Sequence, residues 1–522
     1  MFVPLTPIRF LNRAVDLFGA KTGIVSGDLQ FTYAEFGDRA TRLASALLKA
    51  GLRKGDRVAY LSFNNHQLLE GYYGVVIAHG VVMPLNVRLS TLEFINILNH
   101  SGARFLFYET EFVELVDKLR TECPVIEHFI PLDAAYESFL NTGVAERPDA
   151  FQFNENSVAE LFYTSGSTGT PKGVMLTHRT LYLHALSVAG LYTDIETMVD
   201  LHTIPLFHAN GWGHPQSSTM LGVKQVMVRR FEPGSVLKMI DEHRATDMCL
   251  VPTMANALLN SPELAKYNHS SLRCVMLGGA ASTPELVTRV QAALGCTCIA
   301  GYGLTETGPV ITNGRLKSTL LDQPESEKIR RQAMAGWALP NVEIRVVDND
   351  LKDVPRDSES VGEVVVQGDH VMEGYFRDEA GTEAVMAGGW FHTGDMAVWD
   401  EERYIHIVDR KKEIIISGGE NISSLEVEKA IFAHSDVYEC AVVAAPDDKW
   451  GEVPAAIVVL KAGCKLTEGE LIAFLQERLG KFKMPRIIEF TEEPLPKTGT
   501  GKIRKMVLKE RFWEGKAKRV QG

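Results

Sequence analysis

The sequence predicts an α/β protein with mainly parallel sheets and a separate α+β region at its C-terminal end. Short apolar strands alternate with amphipathic helices, as in Arg57–Leu61, the helical stretch from Gln67, and Val81–Leu85. This alternation is typical of parallel sheets crossed by helices. From Asn341 to Asp409 short β-like runs prevail and predict a small barrel or antiparallel sheet. The net charge is +3 from Arg410 onward and −15 before it, which first suggests two parts.

The composition is that of a globular protein. Of 522 residues, 45% are hydrophobic and 23% are charged, and this length predicts several folding units. A net charge of −12 argues against holding nucleic acid by counterion release. The N-terminus lacks a basic segment followed by an apolar run, so no secretory signal is predicted. The most apolar stretch, Tyr72–Leu85, is interrupted and too short for a membrane span.

The seven cysteines are scattered, and only Cys296 and Cys298 are close together. A C-x-C pair fits zinc-site spacing poorly, so we interpret the two side chains as small buried hydrophobic groups. An odd, dispersed set of cysteines favours a reducing, cytoplasmic location.

The middle of the chain shows a strand–helix–strand pattern. Cys274–Leu277 is predicted as a strand, and Thr283 is predicted to cap a helix over Pro284–Leu294, with proline at its first position. Cys298–Ala300 is predicted as the next strand. The polar stretch Gly314–Gln332 is predicted as a surface excursion.

The last 110 or so residues carry their own α+β pattern. Ser423 with Glu426, and Thr467 with Glu470, match capping boxes that would each open a helix. Two strand-like runs lie between them: Cys440–Ala445 and Ala456–Leu460. No Gly/Ser-rich linker marks where this region begins.

The strongest local signal is the segment Tyr163–Val174, YTSGSTGTPKGV, which follows the apolar run Val158–Phe162. Glycines allow backbone N–H groups to turn toward a ligand, and hydroxyl groups add donors. With the positive charge of Lys172, this composition predicts polyphosphate binding; a flexible surface loop is the alternative. A Walker-A loop is excluded because Pro171 stands where its second glycine is needed.

Four other segments complete a set. They supply an aromatic residue with a hydroxyl and a carboxylate, a tight turn with a carboxylate, a charge cluster leading to a glycine turn, and a glycine-framed lysine: Gly301–Thr307, Thr393–Asp395, Asp409–Asn421 and Pro496–Lys502. In this order, and over essentially the whole chain, the five segments resemble the adenylate-forming superfamily of acyl-CoA synthetases, nonribosomal peptide adenylation domains and luciferases. The sequence looks most similar to bacterial fatty-acyl-CoA synthetases and plant acyl-activating enzymes.

The resemblance implies an architecture. Residues 1–411 would form a large N-terminal domain of two α/β sheet subdomains plus a small β-barrel. Residues 412–522 would form a smaller, mobile α+β domain with its hinge at Lys412. Fatty-acyl relatives are often dimers, so a homodimer is one expectation.

The resemblance also implies an acid–thiol ligase. ATP with Mg²⁺ would convert a carboxylic acid, foremost a fatty acid, to an acyl-adenylate and pyrophosphate, and CoA would then give acyl-CoA and AMP. No nucleophilic side chain is needed, since the mixed anhydride is itself the activated species. The expected partners are these small molecules, without nucleic acid or a transmembrane segment.

The family's ATP contacts carry over to specific positions. The phosphates are expected at Thr164, Ser165, Gly166, Ser167, Thr168, Gly169 and Lys172. Tyr302 would stack on adenine, and the other members of this set are Gly279, Ala280, Gly301 and Gly303. Of these, Gly279, Ala280 and Gly301 would shape the purine slot. A buried core tyrosine is the alternative for Tyr302.

The remaining ATP-site residues are polar. Thr305 would contact the α-phosphate, and Glu306, with Ser165, would hold Mg²⁺, an ion that prefers hard oxygen ligands and substrate phosphates. Asp395 would accept the ribose hydroxyls with help from Arg410. For Arg410, membership of a solvated charge cluster is the alternative.

Lys502 is the main catalytic candidate, because a lysine can bridge the carboxylate and the α-phosphate as their negative charges approach. The family's lysine enters the site only for adenylation. After the domain swings about its hinge, the turn at Ser417, Gly418 and Gly419 would help form the thiol tunnel. A solvated lysine is the alternative for Lys502.

The acyl and thiol pocket is predicted around the segment Ile204–Trp212. His208 would gate the thiol path or contact the adenylate, and Trp212 matches a gating tryptophan; structural roles are the alternatives for both. The segment lacks the aspartate of amino-acid-activating relatives, which argues for substrates without an α-amine. Ile416 stands where several fatty-acyl and coumarate-type relatives have lysine, so an electrostatic contribution would be missing.

Two alternatives remain open. The enzyme could pass its adenylate to a carrier-protein phosphopantetheine arm or another acceptor. In a different class, it could be an ATP-binding phosphotransferase or regulator, but Glu306 and Lys502 argue against a binding module without catalysis.

Overall fold

The computed structural model describes residues 2–164, 171–411, 413–417, 420–447, 449–476, 478–497 and 503–514. Contacts divide the chain into two compact units. The large unit comprises Met1–Ile344, Val366–His392 and Arg403–Ile405, and the small unit comprises Arg345–Val365, Thr393–Glu402 and His406–Gly522. This division does not follow the predicted 411/412 boundary, which stays a prediction, as does the hinge at Lys412, outside the described residues.

The described residues form sixteen α-helices: α1 (Ile8–Phe18), α2 (Tyr33–Lys49), α3 (His66–Ile77), α4 (Thr91–Ser101), α5 (Val113–Glu122), α6 (Ala134–Leu140), α7 (His178–Ala189), α8 (His214–Leu221), α9 (Pro233–His243), α10 (Pro252–Leu259), α11 (Pro284–Leu294), α12 (Glu325–Gln332), α13 (Glu379–Val385), α14 (Ser424–Phe432), α15 (Glu468–Gln476) and α16 (Lys505–Trp513).

They also form twenty-five strands: β1 (Thr22–Ser26), β2 (Leu29–Thr32), β3 (Arg57–Leu61), β4 (Val81–Pro84), β5 (Phe105–Tyr108), β6 (His128–Pro131), β7 (Val158–Thr164), β8 (Lys172–Thr177), β9 (Val199–His202), β10 (Lys224–Met227), β11 (Asp247–Leu250), β12 (Cys274–Leu277), β13 (Thr297–Gly303), β14 (Val310–Asn313), β15 (Trp337–Ala338), β16 (Val342–Val347), β17 (Gly362–Gly368), β18 (Gly374–Tyr375), β19 (Phe391–Trp399), β20 (Ile405–Arg410), β21 (Ile415–Ser417), β22 (Glu420–Ile422), β23 (Val437–Asp447), β24 (Gly451–Leu460) and β25 (Ile487–Thr491).

Two sheets form the large unit. One has nine strands in the order β15-β14-β13-β12-β11-β9-β10-β1-β2, and the other has seven in the order β18-β8-β7-β4-β3-β5-β6. Their central pairs are parallel, as in β12–β13 and β3–β4, while β7–β8 and β13–β14 are antiparallel. The predicted α/β class with mainly parallel sheets is therefore confirmed. Strand β7 ends at Thr164 in the seven-stranded sheet and β13 ends at Gly303 in the nine-stranded sheet, so the predicted ATP-site residues of this unit come from both sheets.

The cores of these sheets follow from the apolar strand sequences. Val275 and Leu277 on β12 pack against Val287 and Val290 on α11, and all four are buried. Helix α3 is buried along His66–Val76, which fits its predominantly apolar sequence.

A four-stranded sheet, β16-β17-β19-β20, occupies the region predicted as a barrel or antiparallel sheet. The division between the two units passes through these strands. The small unit also contains the sheet β22-β21-β24-β23, with β25 pairing to β24. Buried residues line both faces of β23, such as Val442 in one cluster and Val443 in the other.

The predicted helix starts agree with the structure except in one detail. Thr283 caps α11 by accepting from the N–H of Leu286, and the Thr467–Glu470 capping box is complete. At α14, Ser423 accepts from the N–H of Glu426. The carboxylate of Glu426, however, binds Lys483 at 2.7 Å, so the predicted box is only half formed.

Cys296 and Cys298 are buried, which confirms their interpretation as small hydrophobic side chains. Over the described ranges, no cluster of three or more His, Cys, Asp or Glu side chains could hold a metal ion. In the same part of the chain, no helix combines the length and apolar character that crossing a membrane requires.

Candidate active site

The glycine-rich segment is framed by the hairpin of β7 and β8. Ser165, Gly166, Ser167, Thr168 and Gly169 lie outside the described residues. Thr164 at the end of β7 pairs with Lys172 at the start of β8.

The side chain of Lys172 is held in place by two neighbours. Its Nζ lies 3.4 Å from a carboxylate oxygen of Asp378 and 4.3 Å from the centre of the Tyr375 ring. Lys172 is therefore oriented at the end of the glycine-rich segment and forms an ion pair with a carboxylate.

Tyr375 connects this lysine to Glu306. The Tyr375 hydroxyl donates to Glu306 Oε1 at 3.0 Å, and Met372 N–H donates to the Glu306 carbonyl at 2.8 Å. Burial first, and then Glu306, raise the pKa of Tyr375, so it remains a donor. Glu306 and buried Thr305 lie on a short 3-10 turn after β13. The sequence interpretation missed Tyr375, although the run Gly374-Tyr375-Phe376 was a signal.

The predicted purine-slot residues lie at the ends of β12 and β13. Gly303 must be glycine, because a Cβ there would lie 1.9 Å from the Pro309 carbonyl oxygen. Tyr302, between Gly301 and Gly303 on β13, is half-buried, and its contact with adenine stays a prediction. Ala280 is exposed after the turn at Gly279.

The predicted acyl segment contains an unusual turn. Five consecutive residues, Ala209–Gly213, have positive φ angles of 45°, 41°, 59°, 61° and 76°. For residues with a Cβ this conformation is strained, and such strain concentrates at functional sites. Trp212 is buried, and its ring atoms come within 2.8 Å of the position of a Cβ on Gly278. Trp212 therefore lies beside Gly279, while half-buried His208 precedes the turn.

A buried carboxyl group on β7 supports this turn. Glu160 accepts hydrogen bonds from Asn210 Nδ2 at 3.2 Å and from Gln216 Nε2 at 2.7 Å. Burial raises the pKa of Glu160 to about 8, and the two amides offset this only in part. Sequence reasoning missed Glu160; its signal was a lone acid in the apolar run Val158–Phe162.

Behind the turn lies a second buried polar group. His214 Nδ1 is 3.1 Å from Asp200 Oδ2, and His214 Nε2 is 3.3 Å from Cys249 Sγ. Burial acts to raise the pKa of Asp200, but the neighbouring His202 and His214 outweigh burial and lower that pKa to about 2. Cys249 shares an apolar cluster with Trp212 and other residues, so this group backs one wall of the predicted acyl pocket.

In the small unit, the structure brings Asp395 and Arg410 together. Arg410 Nε lies 2.6 Å from Asp395 Oδ1; Asp395 is buried and Arg410 is exposed. The turn is anchored by Thr393, whose hydroxyl donates to the Val364 carbonyl at 2.8 Å. Gly394 adopts a φ of 70°, which favours glycine.

Next to this turn is a buried charge cluster, which we call the Lys505 cluster. Lys505 Nζ lies 2.9 Å from Glu428, 3.2 Å from Glu413 and 2.7 Å from Ser424 Oγ. Burial acts to lower the pKa of Lys505, but the carboxylates of Glu428, Glu413 and Asp409 outweigh it and raise that pKa above its usual value. Ser417 lies on β21, whereas Gly418, Gly419 and Lys502 lie outside the described residues.

Comparison with known proteins decides the family. Residues 11–376 match the AMP-binding enzymes, and residues 426–502 match the AMP-binding enzyme C-terminal domain. The chain belongs to the AMP-binding enzyme family. The resemblance stated from the motifs is thereby confirmed.

Relatives of this AMP-binding enzyme align over nearly the full chain. A long-chain-fatty-acid–CoA ligase of Thermus thermophilus is 38% identical, covering 96% of this chain and 95% of the relative. A peroxisomal butyrate–CoA ligase of Arabidopsis thaliana is 36% identical, covering 97% and 93%. Among solved structures, o-succinylbenzoate CoA synthetase of Bacillus subtilis with its acyl-adenylate intermediate has a TM-score of 0.84 at 30% identity, covering 96% and 97%.

Proposed function

We propose that this AMP-binding enzyme is an acid–thiol ligase that activates a carboxylic acid with ATP and transfers the acyl group to CoA. The observation that carries this proposal is the Lys172–Tyr375–Glu306 connection at the end of the glycine-rich segment. It orients a cation and a carboxylate on elements that flank that segment. The full-length relatives support the proposal, because those described above bear the names of CoA ligases or synthetases.

In the first half-reaction, a carboxylate oxygen of the substrate attacks the α-phosphorus of ATP. The bond to the β-phosphate oxygen breaks, and pyrophosphate leaves with its electron pair. Lys502 is proposed to stabilise the charges that approach each other, and Thr305 to contact the α-phosphate. In the second half-reaction, the CoA sulfur attacks the acyl carbonyl, loses its proton, and releases AMP.

Glu306 suits Mg²⁺ because its carboxylate is half-buried and oriented by Tyr375. Mg²⁺ is bound by one or two carboxylates together with substrate phosphates, and it would supply charge neutralisation there. Ser165 is proposed as its second protein ligand.

The nucleoside is proposed to contact Tyr302 through adenine and Asp395 through the ribose hydroxyls. The Asp395–Arg410 ion pair supports the second contact, since it fixes the position of a buried carboxylate on the turn. Residues from Lys412 on are proposed as the mobile domain, with Ser417, Gly418 and Gly419 serving the thiol step.

The substrate is proposed to be an acid with an apolar tail, such as a fatty acid. Trp212, Cys249 and Met276 belong to one buried apolar cluster, which suits a hydrocarbon chain. His208 is proposed to serve the thiol path. The seven cysteines form no disulfide, which supports the proposed cytoplasmic location. The enzyme is also proposed to be a homodimer.

The test separates the two half-reactions. In Lys502→Ala, we expect pyrophosphate release to fall by at least about a hundredfold, as for loss of a group that stabilises transition-state charge. Thioester formation from supplied acyl-adenylate should stay within about threefold. The matched control is Lys497→Ala, because Lys497 lies in the same segment but pairs with Glu439 at 2.5 Å. Equal loss of both half-reactions would contradict the assignment of Lys502.

The same assays separate the alternatives. A phosphotransferase would yield ADP from labelled ATP, whereas an adenylate-forming enzyme yields AMP and pyrophosphate. If CoA fails to accelerate AMP release, a carrier-protein arm or another acceptor is favoured.

A further inference from the structure

A cavity lies within the large unit, and one of its lining residues, Phe376, directly follows Tyr375 of the candidate active site. It has a volume of about 450 Å³, a size that suits small-molecule ligands. Strands β3, β4 and β7 begin beside it, at Arg57, Val81 and Val158. From Val158, β7 runs for about 20 Å to Thr164, where the glycine-rich segment begins. The lining residues at the strand starts therefore lie at the opposite end of β7 from the phosphate site, and Leu161, Met175 and Phe376 extend the lining along the strand.

The cavity has an apolar interior. Its wall includes Leu161 and Met175, which face each other across the β7–β8 pair, together with Phe153 and Phe376. A ligand with a hydrocarbon part would remove this surface from water, which is favourable at roughly 25 cal/mol per Å².

The cavity also carries basic groups. Lys54, Arg57, His79 and His178 line it, and none of its lining residues is acidic. Burial lowers the pKa of His79, with Lys54 adding to the effect, so Lys54 and His79 lie near each other. The side chain of Lys54 is exposed and can reach a ligand at the mouth.

Arg57 has a charge that its direct partners do not neutralise. Its guanidinium donates to three carbonyl oxygens, those of Ser101 at 2.6 Å, Gly55 at 2.8 Å and Gly102 at 3.0 Å. Within the described residues, no carboxylate lies within ion-pair distance of Arg57; the neighbouring Asp56 pairs with Arg104 and acts on Arg57 only through its electric field. A guanidinium has five N–H donors, so two of those of Arg57 make no hydrogen bond to the described residues.

His79 is held in a fixed position in the cavity wall. It has a φ of 61°, although histidine rarely adopts the left-handed region, and its ring stacks on Phe153 with centroids 4.3 Å apart. The Phe153 ring also lies against that of His178, which is buried and forms a hydrogen bond with Thr6 Oγ1 at 2.9 Å. Strain of this kind is retained where the surrounding structure requires it.

We propose that this cavity is a second, non-catalytic binding site for an amphipathic monocarboxylate. The carboxylate lies at Arg57 and Lys54, and the hydrocarbon tail lies along Leu161, Met175 and Phe376. A single anionic head matches the two free donors of Arg57 and the exposed lysine, and the apolar wall requires a tail. Inorganic phosphate lacks that tail and fits the cavity less well.

The experiment counts bound decanoate by isothermal titration calorimetry on the full chain. The catalytic site is first saturated with a non-hydrolysable decanoyl-adenylate analogue. We expect one further equivalent of decanoate to bind, decanol to bind at least about tenfold more weakly, and inorganic phosphate not to bind there.

Two variants locate that equivalent. Lys54→Glu should weaken it about tenfold by reversing a charge at the mouth, and Ser157→Trp should abolish it by filling the cavity. The control Lys118→Glu makes the same charge change on an exposed position of α5 outside the cavity, and it should bind as the wild type does. Unfolding temperatures show whether the Ser157→Trp variant folds. Because Lys54 is exposed, Lys54→Glu tests the site without disturbing the packing of the cavity wall.

Absence of the further equivalent, or wild-type binding in both cavity variants, would overturn the proposal. So would equal affinity for decanol, or binding of phosphate in place of decanoate. These results are independent of the proposed function, because pyrophosphate and AMP release are measured separately. If the analogue fails to bind, the difference between the wild type and the two variants still reports on the cavity.

Discussion

The buried carboxyl of Glu160 makes stability depend on pH in a direction opposite to that of most acids. Burial raises the pKa of Glu160 from 4.5 to about 8 in the folded protein. Between these values the native state keeps a proton that the unfolded chain has lost, so the free energy of unfolding falls as pH rises. The slope is about 1.4 kcal/mol per pH unit, so the accumulated loss of unfolding free energy reaches about 3 kcal/mol at pH 7.

Glu160→Gln removes this titration while keeping the size and an acceptor for one of the two amides. Relative to wild type, its stability should rise by about 3 kcal/mol between pH 5 and pH 8, plus a constant offset of about 1 kcal/mol for altered hydrogen bonds. Glu160→Leu should be destabilised by about 2–6 kcal/mol at pH 5, because the amides of Asn210 and Gln216 lose their acceptor. This deficit should shrink by about 3 kcal/mol toward pH 8, because the leucine variant also lacks the titrating carboxyl.

The assay is thermal unfolding by differential scanning calorimetry at half-unit steps from pH 5 to pH 8. Comparing variant with wild type at each pH cancels the contributions of other groups. Parallel curves for Glu160→Gln and wild type would refute the reasoning, because they would mean that the carboxyl titrates alike in folded and unfolded states. A steeper fall for the variant would refute it as well.

Two further substitutions test local packing and charge. Gly303→Ala would place a Cβ 1.9 Å from the Pro309 carbonyl oxygen and should lower the free energy of unfolding by about 3 kcal/mol or more. Gly469→Ala is the control, because a Cβ there would meet open space. Equal melting temperatures for the two variants would contradict the close approach at Gly303. Lys505→Met leaves the carboxylates of the Lys505 cluster unpaired and should lower the free energy of unfolding in urea by about 3–5 kcal/mol. The control Lys461→Met, at an exposed position, should change it little. If Lys505→Met loses less than about 1 kcal/mol at pH 7, the buried ion pairs are not formed.

Local structure was largely predictable. The strands Arg57–Leu61 and Cys274–Leu277 and the helix Pro284–Leu294 have the expected bounds. Each is encoded by neighbours within a few residues: an apolar run, a capping threonine, or proline at the first helical position. The box at Ser423 formed only in half, because Glu426 found Lys483, a partner 57 residues away.

The candidate site was predictable to a lesser degree. The motifs located Lys172 and Glu306 but not Tyr375, which links them from a strand about 70 and 200 residues away along the chain. Nor did they locate the support of Trp212. An acid inside an apolar run signals a buried carboxyl, but its partners cannot be read from periodicity.

The sequence by itself determined the family, the order of its five motifs and the local elements that carry them, since these depend on residues close in the chain. Only the tertiary structure decided the environment of each functional group. Glu160 meets Asn210 and Gln216 across 50 and 56 residues, and Cys249 meets His214 across 35. Burial raises the pKa of Glu160, and neighbouring histidines lower that of Asp200. Both effects depend on distance and exclusion of water, which arise only when separate strands and helices pack together.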